Sequence, residues 1–186
     1  MKKTSTLLIA LVFLAIQTSC ESKADKIIRL EKENEQRIER AAYKKYKDNY
    51  LKTGTLPYKN CFGRNASCTY NCSEIVIKSP TSTDVLVTIK KKNRVVRHAY
   101  IKKNSKYTFE VPNGNYQPFF YYGNGWNPKK KMTSKSCDNL TGGFVKDEKF
   151  GKDEIQRLNN NILTYELILQ RNGNLQTKSS NSSEAF

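Results

Sequence analysis

The sequence predicts a mainly β protein, a seven-stranded antiparallel β-sandwich preceded by one long N-terminal helix. Three observations support this prediction. Residues 23–49 contain neither glycine nor proline and repeat apolar side chains at helical spacing. After Cys72 the pattern changes to short runs in which apolar and polar residues alternate. Turn residues separate these runs about every eight to twelve positions, which is typical of a sandwich.

The chain has 186 residues and opens with a charged start followed by a short apolar run. The run TLLIALVFLAI follows Lys2 and Lys3 and is too short to span a bilayer. This arrangement is typical of an export signal, here residues 1–19, which either a lipoprotein-processing peptidase or an ordinary signal peptidase would remove. The segment Gln17-Thr18-Ser19-Cys20 resembles the lipobox of bacterial lipoproteins, although Gln17 stands where that box usually has leucine.

The lipobox resemblance implies cleavage before Cys20 and acylation of that cysteine, so a lipid would tether the protein to a membrane. Glu21 stands in place of the aspartate that retains such proteins in the inner membrane. The resemblance therefore implies a lipid-anchored outer-membrane protein, on either the periplasmic or the surface face.

The charge of the chain is strongly basic. Removal of residues 1–19 leaves 31 basic and 17 acidic residues, a net charge of about +14. Because an exported lipoprotein seldom meets nucleic acid, we expect no nucleic-acid partner. The lysines either solvate strand ends and sheet edges or attract anionic lipid headgroups and acidic glycans.

Residues 20–50 are predicted to form a lipid-anchored helical stalk. Its 23–49 part would extend about 40 Å as a helix. One stripe of this helix carries residues that recur at steps of three and four and are apolar except for Asn34, namely Ile27, Leu30, Asn34, Ile38, Ala41 and Ala42. Because the stripe is thin, the helix needs a second copy in a coiled coil, a partner protein or its own domain to lean on.

Residues 51–72 are predicted to be a linker that carries three cysteines, Cys61, Cys68 and Cys72, with Cys137 far downstream. These four remain once Cys20 is acylated, and an even number in an oxidising compartment predicts two disulfides. Three pairings are possible. A bond from the 61–72 cluster to Cys137 would close a long loop. We expect no metal site, because paired C-x2-C spacings are missing.

Residues 73–170 are predicted to form the β domain. Its candidate strands are 74–79, 84–91, 94–103, 106–111, 115–122, 142–145 and 162–170. Residues 146–161 are polar, with apolar side chains spaced for a turn or two of helix. Residues 171–186 are rich in serine and asparagine and are predicted to be a disordered tail.

The stretch Asn113–Pro128 concentrates six aromatic residues between glycines. Strand alternation predicts that Tyr116, Phe120 and Tyr122 point to one face, and Gln117, Phe119 and Tyr121 to the other. Either both faces are buried, or some aromatics form a binding surface. The candidate binding residues are Tyr116, Phe119, Tyr121, Tyr122 and Trp126. Pro118 lacks an N–H group and predicts an edge strand or a bulge.

The progression from Tyr107-Thr108-Phe109 through Pro112-Asn113-Gly114-Asn115-Tyr116 to Gly123–Trp126 resembles the prealbumin-like domains of carboxypeptidase-regulatory and Cna-B type. This resemblance implies a β-sandwich that serves as a spacer or docking module. The whole chain also resembles a set of Bacteroidota lipoproteins to which no activity is assigned.

Three functions are compared. The first is a non-catalytic envelope lipoprotein that binds an envelope protein through the aromatic region. The second is a glycan-binding lipoprotein in which Tyr121, Tyr122 and Trp126 stack on the sugars of an acidic glycan or peptidoglycan. The third, a hydrolase, lacks a catalytic signature, since the lone His98 is expected on the strand surface. We therefore expect no enzyme activity and no cofactor.

Overall fold

The structure is a computed structural model that describes residues 22–168 and 178–186. The predicted export signal and the predicted lipid attachment site at Cys20 lie outside the described residues. The chain divides into two compact units, Met1–Ile38 and Glu39–Phe186. All described strands belong to the second unit.

Helix α1 (Lys23–Tyr46) confirms the predicted helix. Ser22 caps it, since its hydroxyl accepts a hydrogen bond from the Asp25 N–H at 3.1 Å and donates to the Asp25 carboxylate at 2.7 Å. The apolar stripe is exposed, with Ile27 at 56% and Ile38 at 59% accessibility. Self-association through this helix stays a prediction.

Two short helices and nine strands follow in the described residues. The helices are α2 (Lys59–Phe62) and α3 (Ser182–Ala185). The strands are β1 (Cys72–Lys78), β2 (Asp84–Lys91), β3 (Arg94–Ile101), β4 (Lys106–Pro112), β5 (Gly114–Lys131), β6 (Thr141–Lys152), β7 (Gln156–Leu158), β8 (Ile162–Glu166) and β9 (Lys178–Ser179). The prediction of a mainly β domain is confirmed, whereas the count of seven strands is wrong.

The strands form two sheets. The smaller sheet has the order β4-β1-β8, and the larger has the order β3-β2-β5-β6-β9, with β7 pairing with the start of β5. Every pair is antiparallel except β1 with β8, which is parallel. Strands β1 and β8 are joined by a long connection that includes the larger sheet, as a parallel pair requires.

Strand β5 is longer than predicted because two of its glycines serve close packing and not a chain reversal. A Cβ atom on Gly123 would lie 2.4 Å from the Cβ of Phe144, and one on Gly125 would lie 2.6 Å from the carbonyl oxygen of Tyr46. The strand continues past both glycines with register shifts near Tyr122 and Asn127.

The helical turn predicted within residues 146–161 is wrong. Strand β6 continues to Lys152, and β7 occupies Gln156–Leu158. Pairing with the long β5 determines this structure, since Phe150 and Lys152 lie opposite Tyr121 and Phe119. The apolar spacing in this segment therefore reflects tertiary pairing and not a helix face.

The first core cluster draws side chains from both sheets, including Ile75 and Phe109 of the smaller sheet and Val87 and Phe120 of the larger. The predicted alternation along β5 is confirmed. Its first set of aromatics lies in this cluster (Tyr116, Phe120 and Tyr122), and Phe119 and Tyr121 lie in a second cluster.

The second core cluster lies on the other face of the larger sheet, where no other sheet of the described residues covers it. Tyr58 from the predicted linker, Leu140 and Phe186 cover it instead. Residues 51–62 therefore contribute to the core and are not a free linker. The predicted disordered tail is wrong for residues 178–186, because Phe186 is only 1% exposed and has aromatic neighbours. The rest of that tail, residues 171–177, lies outside the described residues.

Candidate functional site

The five candidate binding aromatics are core residues. Tyr116, Phe119, Tyr121, Tyr122 and Trp126 are each at most 5% exposed. Their rings therefore offer no open face to a sugar or a protein, and the prediction of an aromatic binding surface is wrong. The structure has the other predicted alternative, in which the aromatic side chains on both faces of β5 are buried. The cause is the second set of segments that covers the larger sheet, which strand alternation alone does not reveal.

The hydroxyl groups of these tyrosines serve the fold. Tyr121 donates to the carboxylate of Glu148 and accepts from the N–H of Phe144 at 2.9 Å. Burial, followed by the charge of Glu148, raises the pKa of Tyr121 far above its ordinary value. Tyr121 is therefore a neutral structural side chain and cannot supply a phenolate at physiological pH.

Pro118 does not mark a sheet edge, because β5 lies between β2 and β6. The proline instead falls where β5 changes partners, between Tyr116, which pairs with β7, and Phe119, which pairs with β6. Its carbonyl still accepts a hydrogen bond from the N–H of Asp153 at 3.1 Å. A missing N–H is tolerated where the partner strand changes.

The outer edge of β3 is covered by two neighbouring segments. The side-chain amide of Asn65 bonds to both the N–H and the carbonyl of His98, at 3.0 and 2.9 Å. Gly54 and Thr55 bond to the backbone of Tyr100 at 2.8 and 2.9 Å. Because these groups already occupy the edge, a partner strand cannot add there without displacing them.

The four remaining cysteines form the two predicted disulfides, Cys61–Cys137 and Cys68–Cys72. The first is the expected long-range bond, with a sequence separation of 76 residues. It joins the segment that contains Tyr58 to the segment that contains Leu140, both of which cover the second core cluster. Because all four sulfurs are bonded, none of these cysteines is available as a nucleophile.

His98 is buried, so its predicted surface position is wrong. Its ring stacks 6.3 Å from that of Tyr58 and lies edge-on 5.8 Å from that of Phe62. The Nε2 atom has no hydrogen-bond partner among the described residues. Burial lowers the pKa of His98 to about 4. The neutral imidazole packs as an aromatic side chain and is not placed to act as a general base.

A groove of about 530 Å³ opens beside Trp126. Six of its lining residues come from the 51–64 segment, which includes α2, and three come from β5 and β6. Its lining residues are Leu51, Thr55, Leu56, Pro57, Lys59, Arg64, Trp126, Pro128 and Thr141. Of the candidate binding aromatics, Trp126 alone is among these nine.

Several contacts hold Trp126 at the floor of this groove. Asn49 bonds to its backbone twice, accepting from the N–H at 2.8 Å and donating to the carbonyl at 2.6 Å. Gly142 lies against the indole, where an added Cβ would come within 2.7 Å of the ring. Because Trp126 is only 2% exposed, its indole is a rigid support, and the apolar floor open to a ligand is formed above it by Leu51, Leu56, Pro57 and Pro128.

The rim of the groove is basic. Lys59 and Arg64 are exposed and make no ion pair with any described residue, and none of the nine lining residues is acidic. An apolar floor beside two free cations is suited to a ligand with a carboxylate next to an apolar group. Sequence reasoning missed both residues, because only folding of the 51–64 segment brings them to Trp126.

No described helix is long and apolar enough to cross a membrane. Within residues 22–168 and 178–186, no three histidine, cysteine or carboxylate side chains converge as metal ligands would. Comparisons with known protein families, with curated proteins and with solved structures find no match to this chain.

Proposed function

We propose that this protein is a non-catalytic, lipid-anchored envelope protein that binds an acidic segment of a partner protein in the groove beside Trp126. The observation that carries the proposal is the pairing of an apolar floor with Lys59 and Arg64. A partner side chain of moderate size would contact Leu56 and Pro57 while a neighbouring carboxylate meets the two cations.

The remaining parts of the proposal concern the anchor and the fold. Acylation of Cys20 would place the domain at the outer membrane, and α1 would act as the spacer, as the lipobox-like residues suggest. The first core cluster, with side chains from both sheets, supports a prealbumin-like sandwich of the kind found in docking modules. A non-catalytic role is supported by the burial of His98 and by the bonding of both cysteine pairs.

Glycan binding is the alternative function, and the structure changes which residues could bind the glycan. Stacking on Tyr121, Tyr122 or Trp126 is not available, because their rings are buried. An acidic glycan would therefore depend on Lys59 and Arg64 alone, and its affinity would decrease steeply with salt. A protein ligand would also use the apolar floor and would keep more of its affinity at high salt.

Photo-crosslinking in the intact envelope tests this proposal. The full chain is produced with benzoylphenylalanine at Leu56 in the groove and, as a control, at the exposed Thr164 of β8. We expect a protein adduct from position 56 that is absent from position 164. The adduct should decrease at least fivefold in the Lys59→Glu/Arg64→Glu variant.

The matched control reverses two exposed cations that do not line the groove, Lys103→Glu with Lys106→Glu. This variant has the same net charge as the groove variant, so it should keep the adduct. Equal loss in both variants would show a general charge effect and contradict the groove. Recovery of polysaccharide in place of protein would replace the proposal with the glycan alternative.

A further inference from the structure

Residues 178–186 lie on the larger sheet in the manner of a bound peptide. Strand β9 pairs with the end of β6 through only two residue pairs, Gly151 with Ser179 and Lys152 with Lys178. Helix α3 then forms a single turn capped by Asn181, whose side chain accepts from the Glu184 N–H at 3.0 Å. The segment thus satisfies much of its own backbone before it meets the domain.

The carbonyl groups of this segment are bound by side chains of the domain. Thr88 donates to the carbonyl of Ala185 at 2.9 Å, and Lys90 donates to that of Glu184. Ser134 and Ser136 both donate to the carbonyl of Phe186, at 2.9 and 2.8 Å. Each of the last three carbonyl groups, those of Glu184, Ala185 and Phe186, therefore accepts a hydrogen bond from a side chain of the domain.

The side chain of Phe186 fills an aromatic pocket. Its ring lies edge-on to the rings of Tyr58 at 5.0 Å, Tyr121 at 5.9 Å and Phe150 at 6.0 Å. Edge-on contacts on three sides favour a flat aromatic side chain over an aliphatic one. The pocket therefore selects the residue type at this position.

The rim of the pocket selects an acidic residue two positions earlier. Lys152 pairs with the carboxylate of Glu184 at 2.9 Å. Hydrogen bonds from Lys152 and Ser180 lower the pKa of Glu184. Burial, followed by the charge of Lys135, lowers the pKa of Lys90. Lys152 thus pairs with the carboxylate while Lys90 binds the adjacent backbone carbonyl, and these two positive charges favour an acidic occupant.

We propose that this surface is a peptide-recognition site for the sequence acidic-x-aromatic, which Glu184, Ala185 and Phe186 occupy within the chain. A partner peptide of the same chemistry would replace the same contacts. Because the chain's own segment is covalently attached, it competes at high effective concentration and keeps the site closed to weak ligands. The site is separate from the groove beside Trp126 and does not depend on the function proposed for it.

Peptide exchange tests the inference. A specific protease site is placed between residues 171 and 176, and the full chain is cut after folding and disulfide formation. Binding of a fluorescein-labelled peptide with the sequence of residues 178–186, KSSNSSEAF, is then followed by fluorescence anisotropy. We expect the cut chain to exchange its own segment for the labelled peptide. The uncut chain should bind the peptide at least tenfold more weakly.

Peptide variants test which residue types the site accepts. The peptide with Phe186→Ala should bind at least tenfold more weakly, and that with Glu184→Lys at least fivefold more weakly. Ser183→Ala is the matched control and should remain within a few fold of the parent, because the Ser183 hydroxyl bonds only within the segment, to Asn181. A cut chain that loses its fold on dilution and regains it when KSSNSSEAF is added would also support the site.

Three results would overturn the inference. A cut segment that never exchanges would show that residues 178–186 are permanent core. Equal binding of the Phe186→Ala peptide would show that the aromatic pocket does not select its occupant. Loss of the fold that added peptide does not reverse would show that the segment acts only during folding.

Discussion

The hydroxyl group of Tyr58 donates a hydrogen bond to the carbonyl oxygen of Gly142 at 2.6 Å, across 84 positions of sequence. The Tyr58 ring also lies 6.3 Å from Trp126 and 5.0 Å from Phe186. One buried side chain therefore lies between the basic groove and the peptide pocket. Burial raises the pKa of Tyr58 well above its ordinary value, so the hydroxyl remains a donor at every physiological pH.

Replacement of Tyr58 by Phe should lower the free energy of unfolding by about 2 kcal/mol, because the buried carbonyl of Gly142 loses its donor while the ring packing is kept. Urea denaturation followed by tryptophan fluorescence measures the change, since Trp126 is the single tryptophan. Tyr70→Phe is the control, as Tyr70 is 79% exposed. Equal stability of the two variants would contradict a structural role for the hydroxyl.

Replacement of Gly123 by Ala should be more damaging than replacement of Gly63. The added methyl group at position 123 would lie 2.4 Å from the Cβ of Phe144, which forces β5 and β6 apart, at a cost of about 3 kcal/mol. Gly63 has open space and a φ of +76°, so its replacement costs only the backbone strain, about 1 kcal/mol. Thermal unfolding of both variants measures the difference, and equal costs would mean that β5 and β6 accommodate the added methyl group.

The stability of the domain should fall as the pH is lowered from 7 to 5. The folded state binds the proton on His98 with a pKa of about 4, whereas the unfolded chain binds it near the ordinary 6.5. Protonation therefore favours the unfolded state below pH 6.5. The stabilisation is complete above that pH, and about 2 kcal/mol is lost by pH 5.

Because His98 is the single histidine of the sequence, one substitution removes all histidine titration and serves as the control. Chemical denaturation at pH 7, 6 and 5 should show the slope in the native chain, and His98→Asn should remove it. Asn65 contacts only the backbone of residue 98, so those hydrogen bonds survive the substitution. If the free energy of unfolding still falls as the pH is lowered in the variant, the pH dependence comes from carboxylates and not from His98.

The two disulfides should contribute unequally to stability. Removal of Cys61–Cys137, whose cysteines are 76 positions apart, should cost about 4 kcal/mol, whereas removal of Cys68–Cys72, whose cysteines are 4 positions apart, should cost about 2 kcal/mol. Double Cys→Ala variants of each pair, compared by denaturation midpoint, measure both values. A larger cost for the short loop would show that native packing and not chain entropy determines the effect.

Local periodicity predicted much of the fold because it depends on neighbours in sequence. Alternation placed Phe119 and Phe120 on opposite faces of β5, and both lie where it predicted. The uninterrupted helical spacing predicted α1 in the same way. These patterns arise from backbone geometry that each segment adopts by itself.

The errors occurred where a distant segment determines the outcome. A glycine such as Gly123 is typical of a turn when only the sequence is considered. In the structure Phe144 approaches it so closely that only glycine fits, and the strand is continuous. The sequence of residues 178–186 is polar, yet Phe186 is buried because Tyr58 and Tyr121 enclose it. Composition describes a segment alone and does not include the surface on which it packs.

By itself, the sequence determined the helix, most of the strands, the faces of the aromatic residues and the presence of two disulfides. Tertiary structure alone decided which cysteines pair, which aromatics are covered, and that Lys59 and Arg64 meet Trp126 at one groove. The physical reason is the separation along the sequence over which each effect acts. Alternation and helical spacing act over a few residues, whereas burial and charge clustering depend on segments that are far apart in sequence and adjacent only after folding.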